Sequence, residues 1–132
     1  GLLNALSTAT LSETSYISNP RVGITDLHLL PMSFFPVFGE MDLRSDINDT
    51  YQNMVDNQTL EIRRIKSNLL LIENPGGMGQ QLIEVARADF NGDGIEDILL
   101  FEYCYATEGT LGFGTIKLIT RKSSQGLFED IS

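Results

Sequence analysis

The chain has 132 residues, enough to bury a core without an obligatory disulfide or metal, and its 42% hydrophobic and 20% charged residues exclude wholesale disorder. Its net charge is −9, and residues 84–108 contribute −6 of this through seven acids and one base. Because such a segment repels phosphate backbones, we expect no nucleic acid partner and favour a cation.

The N-terminal third predicts little regular structure. Apolar residues at positions 2, 3, 6 and 9 have a weak helical spacing, so residues 1–11 are predicted to form an arm or a short helix. Residues 22–43 are rich in aromatic residues and contain Pro31 and Pro36, which favour edge strands and loops over a central strand. These prolines also interrupt the apolar stretch at 27–38, which is too short to cross a bilayer. We therefore expect no transmembrane segment.

Residues 45–58 carry the clearest helical pattern in the sequence. Ile47, Tyr51, Met54 and Val55 recur at the spacing of one helical face, and Ser45 is a suitable N-cap. The pattern predicts a helix at 45–58 that covers one face of a sheet.

Residues 60–121 are predicted to be rich in β-structure. Short apolar or alternating segments between turn residues predict strands at 60–66, 69–73, 80–88, 95–105 and 115–121. The strand at 95–105 is apolar on both faces apart from its glutamates, which is typical of a central strand covered on both sides. The sequence thus predicts one domain, residues 1–132, of the α+β class, with a mostly antiparallel sheet and one or two covering helices.

The acidic loop before the strand at 95–105 has the spacing of a cation site. A hard cation such as Ca²⁺ takes about six to eight oxygen ligands, and alternate side chains of a tightly curled loop can converge on one point. Gly92 and Gly94 permit the positive φ angles that the curl requires. The sequence therefore predicts Ca²⁺ as cofactor, bound in a β-hairpin. The candidate metal ligands are Asp89, Asn91, Asp93, the backbone carbonyl of Ile95, and Asp97.

Position 12 of this loop distinguishes it from an EF-hand. An EF-hand has a bidentate Glu there, whereas this chain has Leu100, and a strand is predicted to follow. The sequence ADFNGDGIEDILL (residues 88–100) instead resembles the calcium loop of the FG-GAP/VCBS-type repeats of integrin α-subunit propellers and many secreted bacterial proteins. The resemblance implies a loop between two antiparallel strands with the five ligands named above. It is limited to about residues 85–100 and to a single copy.

The candidate ligands are all local, and no nearby His or basic residue suggests catalysis, so we expect a structural calcium ion. A short site without a closing Glu suits surroundings where calcium is near millimolar, which favours an extracytoplasmic protein, either secreted or periplasmic. The expected function is a non-catalytic module that binds a protein or carbohydrate partner. The aromatic cluster Phe34, Phe35 and Phe38 is expected to be core, with any exposed part available for binding.

The alternative is a secreted or periplasmic hydrolase that uses the calcium loop for stability alone. A pocket in which His28 converges with carboxylates would favour this alternative, whereas a flat or aromatic-lined face would favour the binding module. The single cysteine, Cys104, lies in an apolar run and is expected to be a buried, unreactive thiol.

Overall fold

A computed structural model of the chain describes residue 9, residues 11–36 and residues 49–132. Its main feature is a six-stranded antiparallel sheet in which each strand pairs with the next along the chain. The strands are β1 (Glu61–Lys66), β2 (Leu69–Glu73), β3 (Met78–Ala88), β4 (Asp97–Ala106), β5 (Gly112–Thr120) and β6 (Glu129–Asp130). The predicted antiparallel sheet is confirmed, and β6 lies beyond the predicted strands.

The described residues contain one α-helix, α1 (Tyr51–Asp56), and two 3-10 helices, Leu27–Leu29 and Met32–Phe34. None of these helices is long and apolar enough to cross a membrane.

The helix α1 begins later than the predicted start at Ser45. Thr50 has an extended backbone and caps the helix, because its amide donates to the Asn53 side chain (2.9 Å) and its hydroxyl accepts from the Asn53 amide (3.3 Å). This reciprocal capping box satisfies the first turn and fixes Tyr51 as the first helical residue. The rest of the predicted helix at 45–48 lies outside the described residues, as do Phe38 and residues 1–8.

The hydrophobic core lies between one face of the sheet, here called the inner face, and the chain that precedes β1. Tyr51 and Met54 of α1 are fully buried there, and the ring of Phe35 packs edge-on against Tyr51 at 6.2 Å. Phe34 is buried in the same cluster, as expected for the aromatic cluster. The sheet contributes Leu70, Ile72, Leu82, Ile98, Leu100, Cys104 and Ile119.

The strand β4 is covered on both faces only at its start. Residues 97–100 are all buried, but from Phe101 onward exposed and buried positions alternate. Glu102 faces the core, whereas Phe101 and Tyr103 lie on the opposite, outer face with 36% and 39% of their surface exposed. The expected two-sided cover therefore holds for the first four residues of the strand.

A buried polar network explains why Glu102 faces inward. The Gln80 amide group donates to Glu102 at 2.6 Å and to the Phe34 carbonyl at 2.8 Å, and it accepts from the Tyr51 hydroxyl at 2.6 Å. Lys117 forms an ion pair with Glu102 at 3.4 Å. Each polar group thus has a partner, which removes the cost of burying it.

The acidic loop, residues 89–96, connects β3 to β4 as the end of a β-hairpin, with Ala88 paired to Asp97. An N-terminal segment, residues 11–22, lies against this loop. Thr14 forms a parallel bridge with Ile95, and the Arg87 guanidinium donates to the carbonyls of Ile17 (2.9 Å) and Val22 (2.7 Å). The fold therefore brings the start of the described chain to the predicted cation site.

Candidate metal centre

The acidic loop is held in a tight curl by its own side chains. The two carboxylate oxygens of Asp89 accept from the amides of Gly92 (2.8 Å) and Gly94 (2.7 Å). Asp93 accepts from the Ile95 amide at 3.0 Å. Gly92 and Gly94 have φ angles of 80° and 82°, a region that residues with a Cβ rarely adopt. The glycines and the aspartates thus produce the predicted curl.

Three of the predicted ligands converge in this curl. Asp89, Asp93 and Asp97 each place a carboxylate oxygen within 4.8 Å of the others. Asp89 and Asp97 are buried, with 3% and 0% of their surface exposed, while Asp93 is exposed. We call these three residues the aspartate triad. Three like charges at this separation repel one another unless a proton or a cation neutralises them.

Asp97 is the most constrained member of the aspartate triad. Its Oδ2 accepts from the Phe90 amide at 2.9 Å, whereas its Oδ1 is buried without a hydrogen bond of normal geometry; the Thr120 hydroxyl, itself buried and without such a bond, is near enough to lower the pKa of Asp97. Burial raises the pKa of Asp97 above its ordinary value, and the charges of Asp93 and Asp89 act in the same direction. A buried carboxylate oxygen without a partner is costly, and a bound cation would remove that cost.

Asn91 and Ile95 are placed differently from the aspartate triad. The Asn91 side chain is exposed, and its Oδ1 accepts from the Asp93 amide at 3.4 Å. The bridge between Ile95 and Thr14 uses the Gly94 carbonyl and the Glu96 amide, not the Ile95 carbonyl. Both residues lie in the curl beside the triad, and both remain predicted ligands.

Glu13 is a further acidic residue beside the loop, and the spacing of the loop gives no signal of it. The amides of Glu13 and Thr14 donate to the Gly94 carbonyl at 2.8 and 2.9 Å. The Glu13 side chain lines a depression of about 420 Å³ on the open side of the loop. The other residues lining this depression are Leu11, Asp89, Gly92, Asp93 and Gly94.

No known protein family, curated protein or solved structure matched this chain in the comparisons.

The other candidate catalytic residues do not join the aspartate triad. His28 is exposed in the 3-10 helix Leu27–Leu29, and no described carboxylate bonds its side chain. Cys104 is 1% exposed, and burial together with the nearby Glu102 raises the pKa of its thiol to about 12. A thiol in this state is a poor nucleophile at neutral pH.

Proposed function

We propose that the acidic loop binds one Ca²⁺ ion and that the ion stabilises the β3–β4 hairpin and the N-terminal segment packed on it. The observation that carries this proposal is the aspartate triad itself, three carboxylates within 4.8 Å of one another, in which the buried Oδ1 of Asp97 lacks a hydrogen bond of normal geometry. The proposed ligands are Asp89, Asn91, Asp93, the Ile95 carbonyl and Asp97.

The donor set favours Ca²⁺ over other divalent ions. The aspartate triad contains no His or Cys, the ligands that Zn²⁺ and the later transition metals prefer. Mg²⁺ demands a near-ideal octahedron and keeps much of its water, whereas Ca²⁺ accepts irregular shells of protein oxygens. A loop that presents side-chain oxygens at alternate positions suits the larger, more tolerant ion.

The position of the loop favours a structural role for the metal. The loop joins β3 and β4, two long central strands, and it contacts the N-terminal segment through Glu13 and Thr14. Neutralising the aspartate triad would therefore secure both the central hairpin and the chain that crosses it. The exposed position of His28 and the buried, protonated thiol of Cys104 favour this role over the alternative of a hydrolase.

The outer face of the sheet supports a binding module. Phe101, Tyr103 and Tyr105 follow one another along β4 on this face, and the rings of the two tyrosines lie 6.0 Å apart at 23° to each other. Aromatic rings partly exposed on a flat sheet are typical of surfaces that contact a protein or a carbohydrate. We propose this aromatic row, rather than Phe34 and Phe35, which are buried, as the partner-binding surface.

The proposed cellular location rests on the calcium affinity expected of such a loop. A short loop without a closing bidentate Glu suits surroundings where calcium is near millimolar, so the proposed location is secreted or periplasmic. The loop's resemblance to the FG-GAP/VCBS-type repeats is consistent with that location.

Thermal unfolding in calcium and in chelator tests the proposal. If calcium is present at about 100 times its dissociation constant, binding adds roughly 2.7 kcal/mol to the free energy of unfolding. For a domain of this size we expect the melting temperature to rise by about 10 °C. Magnesium at the same concentration should raise it much less.

Asp97→Asn serves as the matched variant for this experiment. It keeps the shape of the side chain but removes one of the three triad charges, so the calcium-dependent rise should shrink strongly. Equal melting temperatures of the wild-type protein in chelator and in millimolar calcium would contradict the proposal.

A further inference from the structure

We infer that Glu13 completes the proposed calcium site from outside the loop, by accepting hydrogen bonds from water molecules bound to the ion. This inference rests on the proposed function and adds a ligand-binding role for the N-terminal segment. It means that the site is assembled by two parts of the chain that are distant in sequence.

The backbone fixes Glu13 beside the loop. The Gly94 carbonyl accepts from the amides of both Glu13 and Thr14, and the Thr14 carbonyl accepts from the Glu96 amide at 2.8 Å. As a result, the Glu13 Oε2 atom lies 3.5 Å from the point that a Cβ on Gly94 would occupy. The Glu13 carboxylate is therefore held against the part of the loop between Asp93 and Ile95.

The residues around the proposed site differ in burial, and Glu13 is among the exposed ones. Asp89 and Asp97 are buried beneath the loop, whereas Asp93 and Glu13 are exposed. Glu13 shares the depression of about 420 Å³ with Asp89 and Asp93. Glu13 thus lies on the exposed side of the proposed site, whereas Asp97 lies on its buried side.

Water-mediated contact fits the geometry better than direct ligation. The acids that lie within 4.8 Å of one another are Asp89, Asp93 and Asp97, so Glu13 stands outside this close group. The loop offers five protein ligands, whereas Ca²⁺ takes about six to eight, which leaves positions for water. A carboxylate across the depression can accept from such water and adds negative charge near the ion.

The N-terminal segment has other anchors that do not involve the Glu13 side chain. The hydroxyls of Ser15 and Ser18 donate to Glu96 at 2.8 and 2.5 Å, and Arg87 bonds the carbonyls of Ile17 and Val22. A Glu13→Gln variant should therefore keep the segment in place and change the charge alone.

Calorimetric titration with calcium chloride at low ionic strength tests the inference with three proteins: wild type, Glu13→Gln and Glu108→Gln. Glu108 is exposed beyond the end of β4 that is distant from the loop, so its variant has the same net charge as Glu13→Gln. We expect Glu13→Gln to bind calcium about three- to tenfold more weakly than wild type, from the lost attraction across a few ångströms of solvent. Glu108→Gln should remain within about twofold of wild type, because Glu108 follows the end of β4 that is remote from the loop and the Coulomb interaction weakens with distance.

The outcomes separate the two proposals. Absence of calcium binding by the wild type would refute the proposed function itself. Binding by the wild type with an unchanged affinity for Glu13→Gln, or with an equal loss for Glu108→Gln, would refute the role of Glu13 alone. In chelator, Glu13→Gln should melt no lower than the wild type and Glu108→Gln. A lower value confined to Glu13→Gln would assign Glu13 to packing and overturn the inference.

Discussion

Asp97 is the residue on which the proposed site depends most. It opens β4, pairs with Thr120 of β5, and is fully buried. Its pKa is raised, first by burial and then by the other two aspartates. A raised pKa means that a proton, like a cation, stabilises this buried carboxylate, so protons and calcium compete for Asp97.

This competition predicts an unusual pH dependence in chelator. Because the pKa of Asp97 is higher in the folded protein than in the unfolded chain, the folded state binds more protons between the two values. Stability therefore falls as the pH rises through this window and is regained on acidification. In chelator, the free energy of unfolding of the wild type relative to Asp97→Asn should increase as the pH is lowered from neutral toward the ordinary aspartate pKa of 3.8, as measured by urea denaturation.

Saturating calcium should reverse the sign of this dependence. Protonation of Asp97 then displaces a ligand, so acidification lowers the free energy of unfolding of the wild type. A wild-type stability that changes with pH in the same way with and without calcium would contradict the role of Asp97.

The loop and Glu13 differ in how far sequence could predict them. Asp89, Asp93 and Asp97 could be predicted as a group because the curl that gathers them is local and needs Gly92 and Gly94. Glu13 could not, because tertiary bonds to the Gly94 carbonyl bring it there across most of the chain.

At the level of elements, a row of three paired residues crosses β2, β3 and β4 on the outer face of the sheet. Glu73 of β2 pairs with Gly79 of β3, which pairs with Tyr105 of β4. The Tyr105 ring crosses over Gly79, and its hydroxyl donates to Glu73 at 2.5 Å. A Cβ on Gly79 would lie 2.2 Å from this ring, so the ring can lie flat only over glycine.

Gly79→Ala therefore tests this arrangement of the aromatic row. The added methyl group must displace the Tyr105 ring and break its hydrogen bond to Glu73, and we expect a loss of about 1–3 kcal/mol in the free energy of unfolding. Strand propensity alone would favour alanine over glycine, so a loss isolates the effect of the ring.

Gly109→Ala is the matched control for this variant. It lies in the exposed turn after β4, where a Cβ would meet its nearest atom at an ordinary 3.6 Å. Its stability, measured by the same urea denaturation, should stay close to that of the wild type. A Gly79→Ala protein as stable as Gly109→Ala would show that the ring can move at no cost.

The positions of the strands could be predicted from the alternation of apolar residues and from the turn residues. Which side chains of β4 face the core could not be predicted in this way. Aromatic residues at 101, 103 and 105 would ordinarily indicate the core face, with Glu102 in solvent. The structure has the reverse, because Gln80 and Lys117 supply partners for a buried Glu102. Those partners lie on β3 and β5, and a single strand's sequence does not reveal them. The first residue of α1 could not be predicted from the apolar spacing either, because this spacing extends back to Ile47 whereas the capping box of Thr50 and Asn53 starts the helix at Tyr51.

At the level of the whole molecule, charge is the unbalanced feature. Of the net charge of −9, −6 falls in residues 84–108, the part of the chain that includes the acidic loop and all of β4. Some of this charge is compensated within the fold, as Arg87 pairs with Glu84 and Lys117 with Glu102. The aspartate triad gathers three carboxylates within 4.8 Å of one another, and their mutual repulsion acts against the folded state.

This imbalance predicts that salt and calcium act on the same repulsion. Raising sodium chloride from about 0.01 M to 1 M shortens the screening length from about 30 Å to 3 Å, so in chelator the melting temperature should rise with salt. With the aspartate triad neutralised by saturating calcium, the same increase in salt should produce a clearly smaller rise. Asp97→Asn in chelator should fall between the two, because it has lost one of the three charges. Scans of all three at matched salt concentrations measure this, and a salt response unaffected by calcium would mean that the loop carries no repulsion that a bound ion could relieve.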